Sequence, residues 1–105
     1  MNNKSGKLPK LTAEKIIAKL RKNSKKFKIY SVKSIALFGS HLRGENKRKS
    51  DIDFLVAFEK STFDNYMNLK IFLENLFKRK IDLLTESSLK PTLSYIKKEA
   101  QYVRA

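Results

Sequence analysis

The sequence predicts a small α/β domain, a β-sheet covered by helices, on three observations. Stretches with helical periodicity alternate with short runs of β-branched and apolar residues, in the order helix, strand, short helix, strand, helix, strand, helix. The 105 residues suffice for one compact core and are too few for a second. A hydrophobic content of 41% supports that core, and 32% charged residues supply a solvated exterior, a balance that argues against disorder.

In chain order, residues 1–10 read as a flexible basic lead-in and 11–105 as the single domain. Thr12 is placed to cap a helix from about Ala13 to Asn23, with Leu11 and Ile16 as a hydrophobic staple and Ile16, Ile17 and Leu20 on one face. The run RKNSKKFK then ends this helix in solvent, and its lysines read more readily as a solvated face than as a binding patch. Val32 to Phe38 is the first strand, apolar on both faces toward its end, as a central strand should be. Gly39-Ser40 terminates it, and HLRG forms a short helix that Gly44 stops.

The second strand, Ile52 to Phe58, sets Asp53, Leu55 and Ala57 on one side and Ile52, Phe54, Val56 and Phe58 on the other. Ser61 with Asp64 is a variant capping box opening a helix to about Phe77. Phe63, Tyr66, Leu69, Phe72, Leu73 and Leu76 form its apolar stripe, which is core and not a ligand box. Lys80 to Leu84 is a third strand with Asp82 at its centre, where burying an ionised carboxylate costs several kcal/mol unless compensated. Pro91 suits the first turn of a last helix running to about Glu99, with Leu93, Ile96 and Ala100 inward. The closing QYVRA either adds an edge strand or frays.

Charge and residue usage narrow the function classes. With 24 Lys and Arg against 10 Asp and Glu, the net charge is +14, which favours anionic partners without choosing among nucleotides, nucleic acid, acidic proteins or lipid. The absence of cysteine excludes disulfides, zinc–thiolate sites and thiol catalysis. The N-terminal stretch lacks the apolar core of a secretory signal, and no apolar run reaches membrane-spanning length, so a cytoplasmic protein is expected.

The chemistry gathers between Ser34 and Phe58. Asp51 and Asp53 are two apart on a strand, so they project from one face with Cα atoms about 7 Å apart and can share hard cations. Ser40 follows an apolar strand and reads as the N-cap of the short helix, whose free N–H groups suit phosphate. Arg43, beside that cradle, is matched to a triphosphate oxygen. Each feature alone has a mundane reading: a common turn, a loop ending, a salt-bridged strand acid at Asp82, a solvated arginine. His41 is the only histidine, which disfavours a histidine-based zinc site or a Ser-His pair, and it reads as a local turn residue. Their conjunction is another matter, since G-S-x10-D-x-D arises by chance on the order of once in a thousand chains of this length.

These residues, embedded in ALFGSHLRGENKRKSDIDFLV, closely resemble the signature of minimal nucleotidyltransferases of the DNA polymerase beta superfamily. The resemblance runs from about Leu11 to Val103 and includes the acid in KIDLL and the L-K-P before the last helix. It implies a polymerase-beta-like fold, with a small mixed sheet and the acids on one sheet face. Gly39 and Ser40 would then hold the β- and γ-phosphates of ATP, with Arg43 also binding the nucleotide. Asp51, Asp53 and Asp82 would bind two Mg²⁺ ions and carry catalysis, and Asp82, nearest the acceptor, would help take its proton.

Stand-alone chains of this kind are typically paired with HEPN-domain toxins. The resemblance therefore implies an antitoxin that transfers AMP from ATP to a tyrosine hydroxyl of such a partner, with a homodimer or a hetero-complex expected. Two rivals are a binding-only antitoxin, which blocks a HEPN ribonuclease without catalysis, and a basic nucleic-acid-binding module with structural aspartates. Nucleic acid is not the favoured partner, and no membrane is expected.

Overall fold

The computed structural model describes residues 11–47 and 50–104. The basic lead-in at 1–10 lies outside them. Helix α1 spans Ala13–Lys22 and is followed by a one-turn helix, α2, at Ser24–Phe27, and a 3-10 turn at Lys28–Tyr30. Strand β1 is Val32–Phe38, α3 is Ser40–Arg43, β2 is Ile52–Phe58, α4 is Phe63–Phe77 and β3 is Ile81–Thr85. Two 3-10 turns, Glu86–Ser88 and Pro91–Leu93, lead to α5 at Tyr95–Glu99 and β4 at Gln101–Arg104.

The sheet has the order β3-β2-β1-β4 and is mixed. β1 runs antiparallel to β2 and β4, while α4 carries the chain between β2 and β3, which pair in parallel. Parallel neighbours need such a crossover, and a helix of 15 residues supplies it. β1 is thus internal and buried along most of its length, and QYVR does form the edge strand beside it.

Strand alternation divides the core. Ile35, Leu37, Ile52, Phe54, Val56, Ile81 and Leu83 meet α1 and α4 on one face, together with Ile16, Leu20, Leu69 and Leu73. A bulge between Val32 and Ser34 breaks the alternation, and Val32 joins the same face. The opposite face is thinner: Ala36 and Leu55 pack with Ile96 of α5, flanked by Phe38, Leu84 and Tyr102. Asp53 and Asp82, in step with Leu55 and Leu84, belong to this second face. Asp53 and Asp82 are therefore on one sheet face, as the sequence predicts, while Asp51 precedes the strand.

Several expectations need correction. RKNSKKFK does not simply end in solvent, because Phe27 is fully buried and meets Phe72 edge-on at 6.0 Å between ring centroids, while Tyr30 lies 5.6 Å from the same ring. Burying one aromatic ring outweighs the exposure that the surrounding lysines prefer. The cap of α4 is Thr62, whose hydroxyl accepts from the Asn65 N–H at 3.1 Å, and not Ser61. That places Phe63 first in the helix, pointing outward at 76% exposure, while Phe77 closes the buried stripe at 6%. Leu93 is exposed because Pro91 starts a 3-10 turn and not the α-helix itself. Asp82 is exposed too, since β3 is an edge strand, so no burial cost attaches to it. No helix among the described residues is long and apolar enough to cross a membrane.

Candidate active site

The end of β1 and the beginnings of β2 and β3 meet at one end of the sheet. Phe38, the last residue of β1, pairs with Asp53, and Asp53 pairs with Asp82 across the parallel β2–β3 ladder. Register thus brings Gly39, Asp53 and Asp82 side by side from three strand ends far apart in sequence. Asp51 lies one residue ahead of β2, exposed.

Gly39 is in the closest contact with this group. Its φ of +79° and ψ of −155° fall in a region open essentially to glycine alone. A Cβ there would overlap the Asp53 carboxylate at Oδ2. Gly39, and not Ser40, is also the N-cap residue of α3, and no side chain caps that helix. Ser40 is its first residue instead, so its hydroxyl is not spent on a backbone N–H. Gly44 closes α3 in the left-handed conformation, φ +73°, as the sequence predicts.

Asp53 is the half-buried acid of the set. Burial foremost, then the charge and hydrogen bond of Asp82 and the charge of Asp51, push its carboxyl up to about 6, against the downward pull of Arg43. Crowded like charges of this kind are matched by a hard divalent cation, and every available donor is a carboxylate oxygen, so the residues fit such an ion. Among the described residues no three acids stand as a closed coordination set, and Asp51 and Asp82 are exposed.

Arg43 is exposed at the edge of the site. Its Nε donates to Glu45 Oε1 at 2.8 Å, and the Glu45 carboxylate keeps the guanidinium pKa raised, with smaller contributions from Glu99 and Asp53. Sequence reasoning missed Glu45, because residues two apart do not meet on a helix. They meet here because α3 stops at Arg43 and Gly44 turns the chain back. It also missed Asn46, which is buried and donates from Nδ2 to the Leu11 carbonyl at 3.1 Å, tying the loop to the start of α1. His41 is no turn residue on the surface: it is 1% exposed, facing the start of α1 with Leu42 nearby.

The comparisons with known proteins agree with one another. The nucleotidyltransferase domain family matches residues 14–103. A protein adenylyltransferase, MntA, of Thermococcus cleftensis is 36% identical over 96 residues, covering 89% of this chain and 97% of the relative. A solved structure described provisionally as a minimal nucleotidyltransferase superposes with a TM-score of 0.75 at 31% identity, over 87% of this chain and 95% of the other. A toxin–antitoxin structure with AMP-PNP superposes with a TM-score of 0.62 at 28% identity, over 88% and 72% of the two chains.

Proposed function

The chain belongs to the nucleotidyltransferase domain family, and on that premise we propose that it transfers AMP from ATP, with Mg²⁺, to a tyrosine hydroxyl of a HEPN-domain toxin, acting as its antitoxin. The observation that carries this reading is the wedging of the Asp53 carboxylate between the Gly39 backbone and the Asp82 carboxylate. It joins the phosphate-binding turn to the acidic pair within a single site. The adenylyltransferase relative supports AMP as the transferred group, and the toxin–antitoxin likeness with AMP-PNP supports both the nucleotide and the kind of partner.

Asp51, Asp53 and Asp82 are the residues that would hold Mg²⁺. Two such ions would supply charge neutralisation at the attacking hydroxyl oxygen and at the departing pyrophosphate in an in-line displacement at the α-phosphorus. The rest falls to the chain's own groups. The Gly39-Ser40 turn, which meets the Asp53 carboxylate, would take the β- and γ-phosphates and bring the α-phosphorus to the acids. Arg43, steadied by Glu45, sits on the same side and meets the triphosphate. Asp82, exposed on the edge strand, is open to an incoming protein and accepts the proton of the attacking hydroxyl.

Transfer of label tests this reading. ATP labelled at its α-phosphate should mark the partner protein, and ATP labelled at its γ-phosphate should not. Label arriving from the γ-position would make the reaction a phosphorylation and end the proposal.

A further inference from the structure

We propose that the seam between α1 and α4, on the sheet face opposite to Asp53 and Asp82, is a binding surface for the phosphate backbone of a nucleic-acid duplex. The surface stands apart from the transfer reaction and needs neither nucleotide nor metal.

The lysines that read from the sequence as a solvated face are drawn up in a row. At about 100° per residue, Lys15, Lys19 and Lys22 fall within about 60° of one another around α1, and all three are exposed. The row lies on the flank toward α4. Lys19 donates from Nζ to the Leu76 carbonyl at 3.3 Å and stands 5.8 Å from the centre of the Phe77 ring. Lys26 of α2 continues it, 5.9 Å from the centre of the Phe72 ring. Lys78 and Lys80, both exposed, follow directly where α4 ends beside Lys19. Ammonium groups held over rings in this way keep free N–H donors and lose little freedom when they bind.

Such a row works against its own helix until an anion covers it, because lysines three and four apart repel one another. Glu14, the one acid of α1, has Ile17 and Ala18 at those spacings and relieves none of them. Among the described residues no carboxylate is in an ion pair with Lys15, Lys19, Lys22 or Lys26.

What the surface lacks identifies its partner. Protein interfaces are centred on apolar and aromatic anchors and are poor in lysine. On α1 and α2 the only exposed apolar residue is Ala18, and Phe72 and Phe77 have lysines over their rings. Single strands are gripped by exposed rings on which bases stack, and neither helix offers one. A duplex presents its phosphates with the bases already stacked. From Lys15 to Lys26 the row extends about 16 Å, enough for several phosphates of one strand.

Fluorescence anisotropy of labelled DNA and RNA duplexes of about 20 base pairs, over about 50 to 200 mM salt without nucleotide or metal, tests the surface. Binding should weaken steeply with salt, and a preference between the duplexes identifies which backbone the row serves. Lys15→Gln with Lys22→Gln should raise Kd about tenfold or more and cut the slope of log Kd against log salt by about two, with the melting temperature no lower. Lys15→Arg with Lys22→Arg should bind as the wild type does. Lys90→Gln with Lys98→Gln removes the same charge from α5 and the segment before it, and should leave Kd and slope unchanged. Equal losses in the two glutamine pairs would reduce the effect to net charge and overturn the surface, as would failure of the wild type to bind either duplex. Polyglutamate held as tightly as either duplex would assign the row to acidic protein and overturn it too.

Discussion

The backbone of Gly39 lies so close against the Asp53 carboxylate that no side chain fits between them. Glycine is needed there twice over, for its backbone conformation and for the space it leaves. Gly39→Ala is therefore expected to cost about 1–3 kcal/mol of stability from the forced backbone alone. Activity should fall further than stability, because relief of the clash moves Asp53. Urea unfolding and steady-state transfer on the same preparation separate the two effects.

Asp51→Ala and Asp53→Ala should each lower transfer by more than about 100-fold while the far-ultraviolet circular dichroism remains that of the wild type. Metal binding gives a second readout without turnover. Mg²⁺ should raise the melting temperature of the wild type at pH 7 and leave that of either variant unmoved. An equal rise in all three would place the ion elsewhere.

The crowding of Asp53 predicts a pH dependence with a definite sign. Its folded value, about 6, lies above the roughly 4 of an unfolded aspartate. The folded state thus binds the proton more tightly, and the stability this contributes is present below pH 4 and lost as pH rises through 6. In EDTA, Asp53→Asn should be more stable than the wild type at pH 7, with the difference shrinking toward pH 4. Paired urea titrations at both values check it, and a difference of opposite sign would contradict the crowded site.

Arg43→Ala should raise the KM for ATP with little change in unfolding midpoint, since its ion pair with Glu45 is exposed. Glu45→Gln tests the steadying role. It should raise the same KM by a smaller factor, because the guanidinium remains but is no longer held.

The buried aromatic at the end of α2 carries a purely structural prediction. Phe27→Ala should cost about 3–5 kcal/mol, as truncating a fully buried ring does. Phe63→Ala, at the exposed first position of α4, should change stability by no more than about 0.5 kcal/mol. Denaturant midpoints of the two variants distinguish the core ring from the surface one.

Much of this was legible in the chain. β1 and β2 run between the residues that their apolar patterns predict, and α4 ends at Phe77 as expected, because long periodic runs are decided by burial on one face. Gly39, Asp53 and Asp82 do converge, but the pairing of Asp53 with Asp82 depends on strand order and register, which no local pattern encodes. The errors fall where a single neighbour decides. Thr62 and Ser61 are both acceptable caps, and Phe63, counted with the apolar stripe, stands exposed at the first position of the helix. Phe27 sits among lysines that suggest solvent, and only the nearness of Phe72, distant in sequence, buries it. Asn46 and His41 look like loop residues until α1 is placed against α3.

The most direct test of the central proposal is the intact mass of both chains after incubation of the purified protein with ATP, Mg²⁺ and a HEPN-domain toxin as the proposed partner. The account predicts a gain of one or more AMP units on the partner, absent when Asp51→Ala replaces the wild type. Tight complex formation with no change in mass would contradict it, and would leave neutralisation by binding alone as the proposed antitoxin action.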